Sequence, residues 1–283
     1  MPVYQRGYRN WDQSTKKGAP PWWAIARRGI SSPLGSRRFM LLLMAALIPA
    51  VVKGGFLWFS WKMGDMGNLL TGGWTDITAV GFHHFLNTQM LFVAIVTTLV
   101  GSDLIAGDKR EGGLALYLSR PLSVRDYVFG KGLINLFYYF MVTLFPALAI
   151  CIFGYLVTRG STGMDMLLII PLQTVLYCLF VGTVLSLILL AISAMGTRKV
   201  FVSLWWVLLL LGTEAISQVF FFINPWLRAI SFTEMIHNTG HLFYGTETSI
   251  LISPYASLAI VTAWCVGAIL VLRKKIQPVV VVS

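Results

Sequence analysis

The sequence predicts an all-α integral membrane protein of six transmembrane helices, with both termini cytoplasmic. Three observations carry this. Hydrophobic residues make up 57% of the 283 positions and charged residues 12%, with a mean hydropathy of +0.74. A soluble domain carries about 45–50% apolar and about 25% charged residues. A chain of this length cannot bury so much apolar surface in water, and the same composition excludes disorder. Second, six apolar runs reach the ~20 residues a spanning helix needs, too long for the ~10-residue alternating strands of a membrane barrel. Third, the positive charges gather on alternate connections.

The predicted spans are Phe39–Trp61, Phe85–Ala106, Tyr127–Val157, Met166–Ala194, Val200–Ile223 and Tyr255–Leu272. The third and fourth exceed the bilayer and must tilt, kink or protrude; Pro146 and Pro171 would supply kinks. Of 22 Lys and Arg, all but Lys53, Lys62, Arg159 and Arg228 fall in residues 1–38, 107–131, 198–199 and 273–275. Positive residues resist translocation, so these segments are expected inside the cell. One transmembrane domain is expected over 1–283: a cytoplasmic tail and interfacial helix over 1–38, the bundle over 39–272, and a cytoplasmic tail over 273–283. Trp22/Trp23, Trp58/Trp61 and Tyr255 fit an interfacial aromatic belt.

Two regions depart from simple hairpins. Between Pro21 and Arg38, the apolar Trp22, Trp23, Ile25 and Ile30 alternate with Arg27, Arg28, Arg37 and Arg38. This reads as an amphipathic helix on the cytoplasmic leaflet, its cations near anionic lipid. The outer segment 224–254 is apolar and aromatic (Trp226, Phe232, Met235, Ile236, Phe243, Tyr244). A structureless loop would not expose so much hydrocarbon to water. Short helices dipping into the outer leaflet or capping the bundle are expected before the last span.

The connection between the second and third spans reads GDKREGGLALYLSRPLSVRDYVFGK over 107–131. Leu114, Tyr117 and Leu118 share one helical face, on a short helix expected to begin near Glu111. Arg120-Pro121 ends it, because the residue before proline is pushed from the helical region. Ser123 stands three residues before Asp126, a capping-box spacing that can start the third span. The result is a charged, amphipathic elbow joined to a long membrane helix.

On Glu111-Gly112-Gly113-Leu114, Leu118, Arg120-Pro121 and Gly130-Lys131, the chain resembles the membrane subunit of ATP-binding-cassette exporters of the second type, the drug, polysaccharide and lipid exporter permeases. Trp23-Ala24-Ile25-Ala26-Arg27-Arg28, Ser36-Arg37-Arg38-Phe39 and Asn224-Pro225 fit the same family. The resemblance implies a coupling helix seated in a groove of an ATPase, with Glu111, Leu114, Tyr117, Leu118 and Arg120 as its contacts. It implies a permease subunit of an ATP-driven exporter, forming the pathway as a dimer with an identical or homologous second permease. ATP and Mg would bind the separate cytoplasmic ATPase subunits. The first, second and fifth spans would face the partner and the cargo. A bacterial or archaeal cytoplasmic membrane is the expected location. The rival readings are a family member that transmits force or a signal without moving cargo, and a stand-alone secondary transporter. The latter usually shows repeated halves and midplane charge pairs.

No Gly-x-x-x-x-Gly-Lys-[Ser/Thr] loop is present, so this chain is not expected to be an enzyme or to hold a cofactor. No nucleic-acid partner is expected, because the net charge of +11 serves topology here. Cys151, Cys178 and Cys265 lie inside apolar runs without metal spacing and read as small buried hydrophobes. His83, His84, His237 and His241 fall on the outer side. His237 and His241 are four apart and share a helix face, with Glu234 three before His237. No Cys or carboxylate cluster completes a ligand set, and no metal is assigned.

Intramembrane charges are costly. Lys53 lies 14 residues beyond Phe39 and Glu214 lies 14 beyond Val200, both about 21 Å above the start of their spans at ~1.5 Å per residue. They pair or face one polar cavity, or they snorkel separately to the outer interface. Asn87, Ala94, Thr98 and Gly101 on the second span, and Gly182/Ser186 on the fourth, read as helix-packing surfaces.

Overall fold

The computed structural model describes residues 20–63, 78–113, 123–157, 168–220, 223–248 and 251–276. Of these, 87% are helical and none is in a strand. Six helices are long and apolar enough to cross a membrane: Arg37–Met63, Met90–Arg110, Val124–Val157, Ile170–Met195, Lys199–Phe220 and Pro254–Lys275. The second, third and fourth spans form the centre, with 56%, 39% and 61% of their apolar windows buried. The first, fifth and sixth bury only 17%, 22% and 22% and wrap the outside. In lipid such apolar exposure carries no penalty, because acyl chains solvate it as well as protein does.

The helix breaks have local causes. The third span breaks at Thr143, between helices Val124–Val142 and Leu144–Val157. Pro146 lacks an N–H and crowds the carbonyl four residues back, and the Thr143 hydroxyl donates to the Tyr139 carbonyl at 2.8 Å. Pro171 produces no kink, contrary to expectation. It sits in the first turn of Ile170–Met195, where no N–H is needed. The first span breaks at Leu47, between Arg37–Ala46 and Ile48–Met63, just before Pro49. The fifth span widens into a π-helical turn over Leu208–Gly212.

The second span is preceded by a lead-in helix, Ala79–Thr88, joined at Gln89 to Met90–Gly101. Helical structure therefore begins six residues before the expected Phe85, with Thr78 accepting from the Gly81 N–H as its cap. The chain then leaves the helix over 102–105 and resumes at Ala106–Arg110. Ser193 of the fourth span repairs this gap. Its Oγ accepts from the N–H groups of Ile105 and Ala106, both at 3.1 Å, and donates to the Ser102 carbonyl at 3.2 Å. Backbone polar groups freed within a membrane must find such partners. Ser193→Ala strips a partner from two buried N–H groups, each worth about 1–3 kcal/mol. The expected result is a clear fall in melting temperature in detergent, with Ser193→Thr retaining most of the stability.

The N-terminal helix is Pro21–Leu34, shorter than the expected run to Arg38. The chain turns at Gly35, so Arg37 and Arg38 open the first span instead. It docks on the third span. A Cβ at Gly29 would sit 2.1 Å from Ile134 Cδ1, and one at Gly130 would sit 2.8 Å from the Trp22 carbonyl oxygen. Two bare backbones thus permit the close approach, and the Tyr138 hydroxyl seals it by donating to the Ile30 carbonyl at 2.6 Å.

The segment before the last span is structured, as its apolar content requires. A 3-10 turn at Pro225–Ile230 leads into an outer helix, Phe232–Tyr244, ended by Gly245 in the left-handed conformation. This helix is built into the bundle: Phe232, Met235, Ile236, Asn238 and Thr239 are fully or almost fully buried. Asn238 Nδ2 ties it to the sixth span by donating to the Ile252 carbonyl (2.9 Å) and to Ser257 Oγ (2.8 Å).

Candidate functional site

The basic end of the bundle gathers the N-terminal helix, the segment after the second span, the start of the third and the turn after the fourth. Its centre is Asp108. Lys131 Nζ lies 2.8 Å from Asp108 Oδ2, with side chains only 10% and 20% exposed. The Tyr127 hydroxyl donates to the same oxygen at 2.6 Å. Tyr127 is wholly buried and its ring lies 5.7 Å from Lys131 Nζ. One carboxylate at the end of the second span is therefore held by two residues, one turn apart, on the third. Charge-assisted bonds of this kind are shorter and stronger than neutral ones. Next to it, Lys109 Nζ donates to the Ala194 carbonyl of the fourth span. Three spans thus converge on residues 108–109.

Ser123 starts the third span as its spacing implies. Its Oγ accepts from the Asp126 N–H at 3.1 Å and donates to the Asp126 carboxylate at 2.6 Å. Of the proposed coupling residues, Leu114, Tyr117, Leu118 and Arg120 lie outside the described residues. Glu111 is exposed, 3.3 Å from Arg110, which also approaches Asp103 at 3.6 Å. Glu111 ends Ala106–Arg110, and Gly112 follows at φ 71°, a left-handed conformation that glycine adopts without strain. Gly113 is helical again, and the rest of the short helix expected to begin near Glu111 lies outside the described residues. On the N-terminal helix, Arg27 and Arg28 are exposed, Trp23 is 44% exposed, and Trp22 packs edge-on against Phe129 at 5.3 Å. An apolar groove of ≈590 Å³ runs between the third, fourth and sixth spans, with Arg125 and Arg273 among its lining residues.

Lys53 and Glu214 lie toward the far end, but among the described residues no ion pair joins them. Lys53, 3% exposed, donates to the Gly81 carbonyl at 2.7 Å and stands over the rings of Phe82 and Phe85. Glu214 accepts from Ser231 (2.5 Å), Thr233 (2.8 Å) and Gln218 (2.9 Å). Equal depth did not imply equal azimuth: each charge is solvated by the nearest outer helix. The small-residue surfaces serve packing in part: Ala94 is buried, but Asn87 is exposed. Gly101 faces Leu189, Gly182 faces Tyr139 and Leu136, and Ser186 accepts from Asn135 at 3.0 Å.

Asp108, Tyr127 and Lys131 escaped the sequence reading as a group. The signal was an acid directly before two basic residues at a membrane edge, with Tyr127 and Lys131 at i, i+4 spacing on the next span.

A comparison with protein families matches residues 36–210 to the family described as ABC-2 family transporter protein. A comparison with the curated proteins finds no match. The match takes in the first five spans up to Leu210, including the Asp108–Lys131 node and Ser193. Domains of this family are membrane components and not ATPase domains, and they associate in general with ABC ATPase subunits. With six apolar helices meeting at a braced basic end, and more than half its length matched, this multi-pass membrane protein belongs to the ABC-2 transporter family.

Proposed function

We propose that this chain is the permease subunit of an ATP-driven exporter, worked by separate cytoplasmic ATPase subunits that bind ATP and Mg. The observation that carries this is the linkage at the basic end. The segment running into 111–122 is anchored to the third span through Asp108 and to the fourth through Lys109 and Ser193. A push carried into residues 106–111 would reach two central spans through these contacts. Glu111, Leu114, Tyr117, Leu118 and Arg120 are the residues that receive the push in this reading. Trp22, Trp23, Arg27 and Arg28 hold the N-terminal helix at the cytoplasmic membrane surface.

The thinly covered first and fifth spans supply faces for a second permease, identical or homologous. The groove beside Arg125 and Arg273 suits an acyl chain with an anionic headgroup, making membrane lipid a constant neighbour. The site of action is the cytoplasmic membrane of a bacterium or archaeon.

The test is recovery of the tagged full-length chain from its native membranes. The expected result is an ABC ATPase in stoichiometric amount, lost on Glu111→Lys or Leu114→Asp while the chain itself remains folded. Vesicles holding this chain alone should move no solute. Recovery with no ATPase, or full transport by the chain alone, overturns the reading.

A further inference from the structure

The far end of the bundle holds a cluster that the coupling machinery does not use. His83 of the lead-in helix lies against His237 and His241 of the outer helix, 154 and 158 positions away in the chain. One ligand-capable nitrogen from each of the three lies within 4.8 Å of the others. His83 and His237 stack, with ring centroids 4.0 Å apart and planes at 23°, and His241 meets His83 edge-on at 4.8 Å. We propose that His83, His237 and His241 form a binding site for a divalent transition cation of the zinc class, which clasps the lead-in helix to the outer helix.

The hydrogen bonds around the rings are those that metal-ligating histidines use. His83 Nε2 lies 2.9 Å from the His237 carbonyl, which can only accept. The proton therefore sits on Nε2, and the Nδ1 lone pair is left uncommitted. His241 Nδ1 lies 2.6 Å from Thr246 Oγ1, which leaves its Nε2. His237 Nδ1 is buried with no hydrogen-bond partner. Ligating imidazoles characteristically donate their second ring N–H to a carbonyl or hydroxyl, which fixes the tautomer and the ring plane. Two of the three already have that support, and the third carries the orphaned polar atom a ligand would satisfy.

The electrostatics agree. Burial and the neighbouring imidazoles push His83 down to about 2 and His237 to about 4, and lower His241 as well. Burial thus disfavours the protonated form of each ring, the form that would compete with a metal. Glu234, three residues before His237, is engaged with Arg228 at 3.4 Å, and Glu214 is engaged with Ser231, Thr233 and Gln218. A set of imidazoles without carboxylates favours zinc, copper or nickel over magnesium or calcium. Tetrahedral coordination with 2.0–2.1 Å bonds sets the ligand nitrogens about 3.3 Å apart. From the 4.8 Å within which they lie, the ligand nitrogens must close by up to about 1.5 Å on binding. His84, whose ring centroid is 6.0 Å from that of His237, is the next nearest ligand.

His237 and His241 fall beyond the residues matched by the family, and His83 falls within them. The site is thus assembled from a shared span and an outer helix outside the match. The clasp is independent of the exporter reading, and its test does not involve transport.

The full chain, without a histidine tag, is purified in detergent, stripped with a chelator and titrated with zinc ions alone. Calorimetry and elemental analysis of the dialysed protein report the binding. One equivalent per chain is expected, with His241→Ala and His237→Ala each weakening it at least tenfold. Thr246→Val should weaken it several-fold through the lost support to His241. His241 is only half-buried, so its variant is expected to keep the wild-type melting temperature in the absence of zinc. His83→Ala is not relied on, because that ring is 1% exposed and its loss also disturbs packing. If the wild-type chain holds no stoichiometric zinc, or His241→Ala and His237→Ala bind it as tightly as wild type, the site does not exist.

Discussion

Lys131→Met should lower the stability of the protein by about 3 kcal/mol, the low end of the range for removing one partner of a buried ion pair. The substitution keeps the length and apolar stem of the side chain and removes only the charge. Asp108 is then left 20% exposed with the Tyr127 hydroxyl as its remaining donor. Asp108→Asn should cost less, because the amide oxygen still accepts from Tyr127. The double variant Asp108→Asn/Lys131→Met should be more stable than the sum of the single losses, by at least about 1 kcal/mol, since no charge remains to be stranded. Thermal unfolding in detergent, followed by tryptophan emission, measures all three. Simple additivity would show that the 2.8 Å contact carries no energy.

The second large effect is expected at Gly240. A Cβ there would lie 2.2 Å from His83 Nε2 and 2.9 Å from Cδ2. The imidazole cannot retreat. It is stacked on His237 on one side and on Tyr244 at 5.4 Å, with Tyr177 edge-on at 5.6 Å. The carbonyl it donates to belongs to the same helix that would carry the new methyl group. Gly240→Ala should cost about 3 kcal/mol, from overpacking and a lost buried hydrogen bond. Adding His83→Ala to Gly240→Ala removes the clash. The double variant should melt above Gly240→Ala alone, an inversion that a general intolerance of side chains at position 240 would not produce.

The parts legible in the sequence were those set by local chemistry. The six spans follow from hydropathy. The start of the third follows from Ser123 and Asp126, its break from Pro146, and the helical outer segment from its aromatic content. What escaped was set by azimuth and by contacts across long stretches of chain. Lys53 and Glu214 sit at matching depths but face different helices, and depth carries no information about rotation around the helix axis. His83 is invisible as a partner of His237 because nothing local marks two positions 154 apart as neighbours. Pro171 shows the limit of a residue rule taken without position: the same ring that breaks a helix interior opens a helix at its first turn. The break over 102–105 has no proline at all, and Ser193, its remedy, is one unremarkable serine in an apolar run.

In the coupling we propose, that serine would set where force goes. A continuous second helix would act as a rod, carrying displacement from its basic end straight through to the opposite surface. With the helix interrupted and two of its amides bonded to the neighbouring span, the short stub bearing Asp108 and Lys109 is inserted on the fourth and third spans like a tendon on another bone. In the coupling we propose, movement of the stub would be passed to those two spans through these contacts.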